Sequence, residues 1–180
     1  MTLQEAQRES RDVYLGGGPG QMVCAAIWLA SAAAGTWATP RLAILILLIG
    51  GFFIFPLTQL SLRAMGRPAS LSADNPLRWL ALQVALIVPL CLPVVLGATA
   101  HRPGWFYPGA MVVVGAHYLP FQFLYGQRRW LVLAGVLLVA GLLIGLYDSG
   151  QFTLGGWLTA VAFLVFAFYA AATRREPVTA

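Results

Sequence analysis

The sequence predicts an all-α protein, a polytopic bundle of six transmembrane helices with both termini on the cytoplasmic side. Three observations predict it. Of the 180 residues, 59% are hydrophobic and only 9% charged, where a soluble domain carries about 25% charged residues; mean hydropathy is +0.78. Six apolar runs each approach the roughly 20 residues that cross about 30 Å of hydrocarbon, and they leave no length for a soluble domain. The 11 cationic residues, all arginine, gather on one side of those runs.

In chain order, residues 1–20 are a polar cytoplasmic segment holding Glu5, Arg8, Glu9, Arg11 and Asp12, a charge pattern unlike a secretory leader. It ends in Gly16-Gly17-Gly18-Pro19-Gly20, read as a flexible hinge. A phosphate-cradling loop would need a preceding strand and a following Gly-Lys-Ser or Gly-Lys-Thr. The spans are predicted at 21–38, 42–62, 77–100, 105–125, 130–147 and 154–173, with a cytoplasmic tail at 174–180. Asn75-Pro76 announces the third, since asparagine caps a helix and proline suits its first position. Only the stretch Ala64–Asn75 is long enough for a substantial loop.

Orientation follows from the arginines. Arg8, Arg11, Arg63, Arg67, Arg78, Arg128, Arg129, Arg174 and Arg175 fall on one side, and only Arg41 and Arg102 on the other. The positive-inside rule places the first group in the cytoplasm, and the tryptophans near run ends (Trp37, Trp79, Trp105, Trp130, Trp157) fit interfacial belts. The expected location is the cell inner membrane, multi-pass. Arginines that border apolar runs are topology signals, so nucleic acid is not an expected partner; the lipid bilayer is.

Small residues mark close helix contacts in lipid. Ala26, Ala30 and Ala34 recur every four positions in the first span, and Gly141 and Gly145 form a GxxxG in the fifth. Packing within the chain is the expected use, and contact with a partner or a second copy the alternative. Pro56, Pro89, Pro93 and Pro120 interrupt the second, third and fourth spans and are candidate hinges, because proline removes a ladder donor and kinks the helix.

His117 is the single ionisable group deep in a span. At 1.5 Å per residue it lies about 16 Å from Arg128, near mid-bilayer. Intramembrane ionisable groups are functional-site hypotheses by default; the alternative is a neutral histidine bonded to a neighbouring carbonyl. Pro89, at similar depth on the third span, frees such a carbonyl about one turn earlier. Gln59, Gln83 and Gln122 lie about 6–9 Å inside the cytoplasmic boundary. Tyr118, Gln122 and Tyr125 share one helix face at spacings of three and four. These six residues are the candidate ligand-binding set, with interhelical hydrogen bonding as the competing role. Asp148, at the outer end of the fifth span, reads as a solvated carboxylate.

No HExxH, paired acidic cluster, GxSxG or CxxC is present. No catalytic residue, metal site or cofactor is therefore assigned, and Cys24 and Cys91 read as small buried hydrophobes. A retinal-type Schiff base is excluded for want of any lysine.

The stretch Gly115-Ala116-His117-Tyr118-Leu119-Pro120-Phe121-Gln122-Phe123-Leu124-Tyr125, with Phe55-Pro56-Leu57 and Asn75-Pro76-Leu77, resembles the signature of a small bacterial integral membrane family of uncharacterised function, over roughly residues 45–150. The resemblance implies a helical membrane protein and supplies no substrate. Size and topology also resemble the substrate-binding subunits of vitamin transporters, in which small residues on the first span dock a partner. The expected function is binding or transport of a small neutral or apolar molecule. An oligomeric channel or structural membrane partner is the alternative, and a membrane enzyme acting on a lipid-like substrate ranks last.

Overall fold

The computed structural model describes residues 1–147 and 150–173. Asp148 and the tail at 174–180 lie outside the described residues. Among the described residues every regular element is helical: α1 (Leu3–Val13), α2 (Gly18–Trp37), α3 (Pro40–Ala64), α4 (Leu77–His101), α5 (Phe106–Tyr118), α6 (Phe121–Tyr125), α7 (Arg129–Tyr147) and α8 (Leu154–Thr173).

Local chemistry sets several boundaries. Thr2 and Glu5 form a reciprocal capping box at the start of α1. Thr39 Oγ1 accepts from the Leu42 amide at 3.2 Å, and Pro40 opens α3. Asn75 Oδ1 accepts from the Leu77 amide at 2.9 Å, so the predicted Asn75-Pro76 start of α4 is in place. Gly126, at φ +64°, terminates α6.

Of the six expected membrane spans, four are supported. Among the described residues, α3, α4, α7 and α8 are the helices long and apolar enough to cross a membrane. The predicted first span is helical over Gly18–Trp37, but Gly18, Gln21, Ser31, Gly35 and Thr36 dilute its hydropathy. The predicted fourth span is divided between α5 and α6 at Leu119-Pro120, because proline supplies no amide to continue the ladder. Pro56, Pro89 and Pro93 are instead accommodated inside continuous helices.

α2 packs on α3 and α8, α5 packs on α7, and α4 lies against α5. The lipid-like exteriors of α3 and α4 carry exposed Phe52, Phe53, Phe55, Leu86, Leu90 and Val94. Gly141 is where α7 meets α5: a Cβ there would stand 2.9 Å from Met111 Cβ and 3.0 Å from the Pro108 carbonyl oxygen. Gly145 faces Pro108 more loosely, at 3.3 Å. The alanine ladder differs from its expected internal use. Ala26 and Ala30 are exposed and Ala34 half-buried, whereas the buried stripe of α2 is Gln21, Cys24, Ala25, Trp28, Ser31 and Ala32. Trp28, at the helical spacing of the buried stripe, turns the alanines outward.

The N-terminal segment is also more ordered than a polar tail. α1 lies across one end of the bundle, burying Ala6, Ser10 and Val13. Gln7 Nε2 donates to the Phe123 carbonyl at 2.8 Å and Arg11 Nη1 to that of Tyr125 at 2.5 Å. Glu9 accepts from the Ser72 amide at 2.6 Å, from its hydroxyl at 3.0 Å and from Asn75 Nδ2 at 2.8 Å. The glycine run is a buried turn: Leu15, Gly16 and Gly17 have φ of 53°, 64° and 87°.

Those bonds hold the Glu9 carboxyl below its ordinary value of 4.5, chiefly through the Ser72 amide, with the Asn75 and Ser72 side chains adding to it. A depressed carboxyl stabilises docking above its unfolded pKa and loses that contribution as pH falls through the folded value. Protection of the α1 amides, measured against their intrinsic exchange rate at each pH, is therefore expected to fall on acidification below about pH 4.5. Glu9→Gln should remove the part of that pH dependence carried by the Ser72 and Asn75 bonds, leaving the part due to Glu5 at its capping box, and unchanged protection in acid would contradict the latch. Asn75→Ala should loosen α1 at every pH, because Asn75 is 1% exposed and also donates to the Ala6 carbonyl.

Candidate functional site

A column of aromatic rings occupies the interior. Phe152 meets Tyr107 at 5.2 Å between centroids, Tyr107 meets Trp28 at 5.9 Å, and Trp28 meets Phe163 at 6.1 Å. Phe163 meets Tyr118 at 5.8 Å, Tyr118 stacks on Trp130 at 5.6 Å, and Trp130 stacks on Tyr125 at 5.1 Å. Close glycines make room for it. A Cβ on Gly156 would stand 2.8 Å from the Tyr107 ring, and one on Gly17 would stand 2.6 Å from that of Trp130.

Three of the six predicted ligand-binding residues come together here. His117, Tyr118 and Tyr125 surround Phe121, at 5.0, 4.9 and 5.9 Å. Gln122 does not share the face predicted for it. The Leu119 amide bonds to Ala116 and that of Phe123 to Pro120, three residues back in each case. In that tighter winding residues i and i+3 eclipse, so Phe121 takes the place beside Tyr118 that regular α geometry would offer Gln122. Gln122 and Gln59 are half-buried and Gln83 is exposed; no side-chain hydrogen bond joins them to the cluster among the described residues.

His117 Nδ1 lies 2.8 Å from the Val84 carbonyl oxygen. A carbonyl only accepts, so Nδ1 carries the proton. The acceptor sits in the turn before Pro89, where the missing proline amide leaves Ala85 without its ladder partner. The histidine thus ties α5 to the proline-bearing part of α4.

Two further polar sites were not singled out from the sequence. Ser31 Oγ donates to the Ala43 carbonyl at 2.8 Å and lies 2.6 Å from Tyr107 Oη, joining α2, α3 and α5. Near Tyr118, Cys24 Sγ is 3.8 Å from the phenol oxygen, and the Gln21 side chain reaches the same hydroxyl. Gln21 Oε1 and Trp130 Nε1 are buried with no hydrogen-bond partner among the described residues. Lone serine, glutamine and cysteine in apolar runs look like ordinary helix residues; their i, i+3, i+4 spacing with Trp28 was the available signal.

Two pockets lie nearer the α1 end. One is an open cleft of about 260 Å³ lined by Gln127, Arg128, Arg129, Tyr169 and Thr173. The other, about 20 Å³, lies among Ser10, Tyr14, Leu71, Ala81, Leu124 and Tyr125, room for one water.

The model of a family of unknown function (DUF7010) matches residues 3–173. The chain belongs to that family. The match runs beyond the stretch of resemblance read from the sequence and takes in α1, the glycine turn and α8. No curated protein and no solved structure matches the chain. With four helices able to span a bilayer, this DUF7010 chain is compatible with a multi-pass membrane protein.

Proposed function

We propose that this DUF7010 protein is an inner-membrane protein, N-in and C-in, that binds a small neutral or mostly apolar molecule at the Tyr118 cluster. In this reading α2 and the α5–α6 run cross the membrane beside the four apolar helices, since about 20 residues at 1.5 Å each reach about 30 Å. The observation that carries the proposal is the pair of buried, unpartnered atoms at Tyr118, Gln21 Oε1 and Trp130 Nε1. An unpaired buried polar group costs about 1–3 kcal/mol, and native interiors satisfy such groups with water or ligand. One atom accepts and the other donates, so a hydroxyl or amide on an otherwise apolar molecule complements both, with Tyr118, Phe121 and Phe163 around its apolar part. Motion of α4 at Pro89 and Pro93, breaking the His117–Val84 bond, opens the way in; Gln59, Gln83 and Gln122 line the cytoplasmic approach.

Native mass spectra of the detergent-purified protein test this. An adduct of fixed mass is expected, lost in Gln21→Leu and weakened in His117→Ala. Bare protein, or an adduct indifferent to Gln21→Leu, refutes the site. The exposed Ala26–Ala30 face supports the alternative, a subunit or structural partner: a defined multimer that dissociates in Ala26→Leu would favour it.

A further inference from the structure

We propose that the cleft at the Arg128–Arg129 end of α7 and α8 binds a phosphate-bearing anion. The headgroup of an anionic membrane lipid is the source that its position fits, and soluble phosphate is the other source of the same chemistry. This site adjoins the Tyr118 cluster at the Trp130 ring but would hold its ligand through different polar groups, so either can fail without the other.

The cleft is built around one guanidinium. Arg129 is half-buried, with Nη2 donating to the Gly16 carbonyl at 2.7 Å and Nη1 to Thr173 Oγ1 at 3.4 Å. Its guanidinium carbon lies 5.8 Å from the Trp130 ring and 6.0 Å from that of Tyr169. Gly16 leaves the space it needs, because a Cβ there would stand 2.6 Å from Nη2. A guanidinium fixed by two hydrogen bonds and lying near two rings keeps its remaining donors in place, and the planar fork of arginine suits bidentate phosphate. Gln127, Arg128, Tyr169 and Thr173 complete the lining, offering a second cation, the Tyr169 hydroxyl and an amide, while the Thr173 hydroxyl donates to the Tyr169 carbonyl and braces Arg129.

The charge balance points the same way. Among the described residues no carboxylate forms an ion pair with Arg128 or Arg129. The acids of α1 are turned elsewhere: Glu5 bonds Thr2 and Glu9 bonds Ser72 and Asn75. Arg11 lies within electrostatic reach of Arg129 and adds a third cation, while α7 begins at Arg129 and contributes the positive end of its dipole. The preference of arginine for the cytoplasmic side explains why these residues sit at this end. It does not explain a guanidinium half-buried against a glycine turn with no acidic partner among the described residues.

Position and size favour a lipid. Below the cleft Val132 and Val136 on α7 and Val165 and Phe168 on α8 are exposed, an apolar surface for acyl chains. A volume of about 260 Å³ is below the roughly 300–1,000 Å³ of pockets that enclose a whole ligand, and suits a headgroup whose chains stay outside.

The test is native mass spectrometry of the full chain titrated with phosphatidylglycerol or phosphatidylcholine. Phosphatidylglycerol should be retained in preference, and about tenfold more weakly by Arg128→Gln and Arg129→Gln, as expected for loss of charge-assisted bonds. Arg128 is exposed, so Arg128→Gln keeps the test valid should Arg129→Gln melt early. Millimolar inorganic phosphate that displaces the lipid and leaves its own adduct supports the anion site and makes soluble phosphate its ligand. Equal retention of the two lipids by the parent protein overturns the proposal. So does unchanged phosphatidylglycerol binding in both variants when they melt at the parent temperature.

Discussion

Gly141→Val is expected to lower the thermal midpoint of the detergent-solubilised protein more than any exposed substitution in the same helix. The added Cβ would stand 2.9 Å from Met111 Cβ, 3.0 Å from the Pro108 carbonyl oxygen and 3.2 Å from Val112 Cγ2. Overpacking costs about 1–3 kcal/mol, and more where neighbours cannot yield. A side chain can rotate away, but the Pro108 oxygen is backbone of α5 and moves only if α5 and α7 separate. Without a hydrophobic driving force between helices in lipid, that close approach is itself the main source of association. Gly135→Ala is the matched control: its Cβ meets nothing within 4 Å, and alanine is the better helix former by about 1 kcal/mol. Melting followed by circular dichroism should rank Gly135→Ala at or above the parent and Gly141→Val well below it. If the two variants melt together, the α5–α7 contact is not what holds the bundle.

The helices were legible in the sequence because hydropathy and caps act locally. The predicted 154–173 run coincides with α8, the predicted start at Leu77 holds, and the 130–147 run falls within α7. The GxxxG of α7 is legible for the same reason, since backbone proximity needs a small residue whatever lies opposite. Local pattern does not reveal which side of a uniformly apolar helix faces inward. In α2 the alanine ladder and the buried stripe differ only in phase, and Trp28, too large to leave unpacked, decides between them. The capping box Thr2–Glu5 was readable and marks α1, but a polar segment gives no sign that Glu9 and Asn75 will dock it on the bundle. His117 was legible as unusual, and its Val84 partner depends on how Pro89 bends α4. Phe121 displacing Gln122 depends on winding changes at Leu119-Pro120, which spacing rules for a regular helix do not include. Gln21 carried no signal beyond its helical spacing with Cys24 and Trp28, as a lone glutamine near a span end is common.

Trp130 separates packing from ligand binding most sharply. It is 2% exposed and stacks on both Tyr118 and Tyr125, so Trp130→Ala should cost about 3–5 kcal/mol, the range for deleting a buried tryptophan. Part of that loss should return when indole is added, because an apolar cavity of this kind accepts an aromatic guest. Trp130→Phe keeps a ring in the stack and removes the Nε1 hydrogen, which has no partner in the fold. Deleting an unpaired buried donor relieves a cost of about 1–3 kcal/mol and offsets the volume lost, so the phenylalanine variant should melt close to the parent. Its binding should not survive, however, if Nε1 is the donor that meets the bound molecule. A parent-like melting curve with the adduct gone would assign Trp130 to the site. A parent-like curve with the adduct intact would make the indole a packing residue and leave Gln21 alone to account for any polar contact at Tyr118.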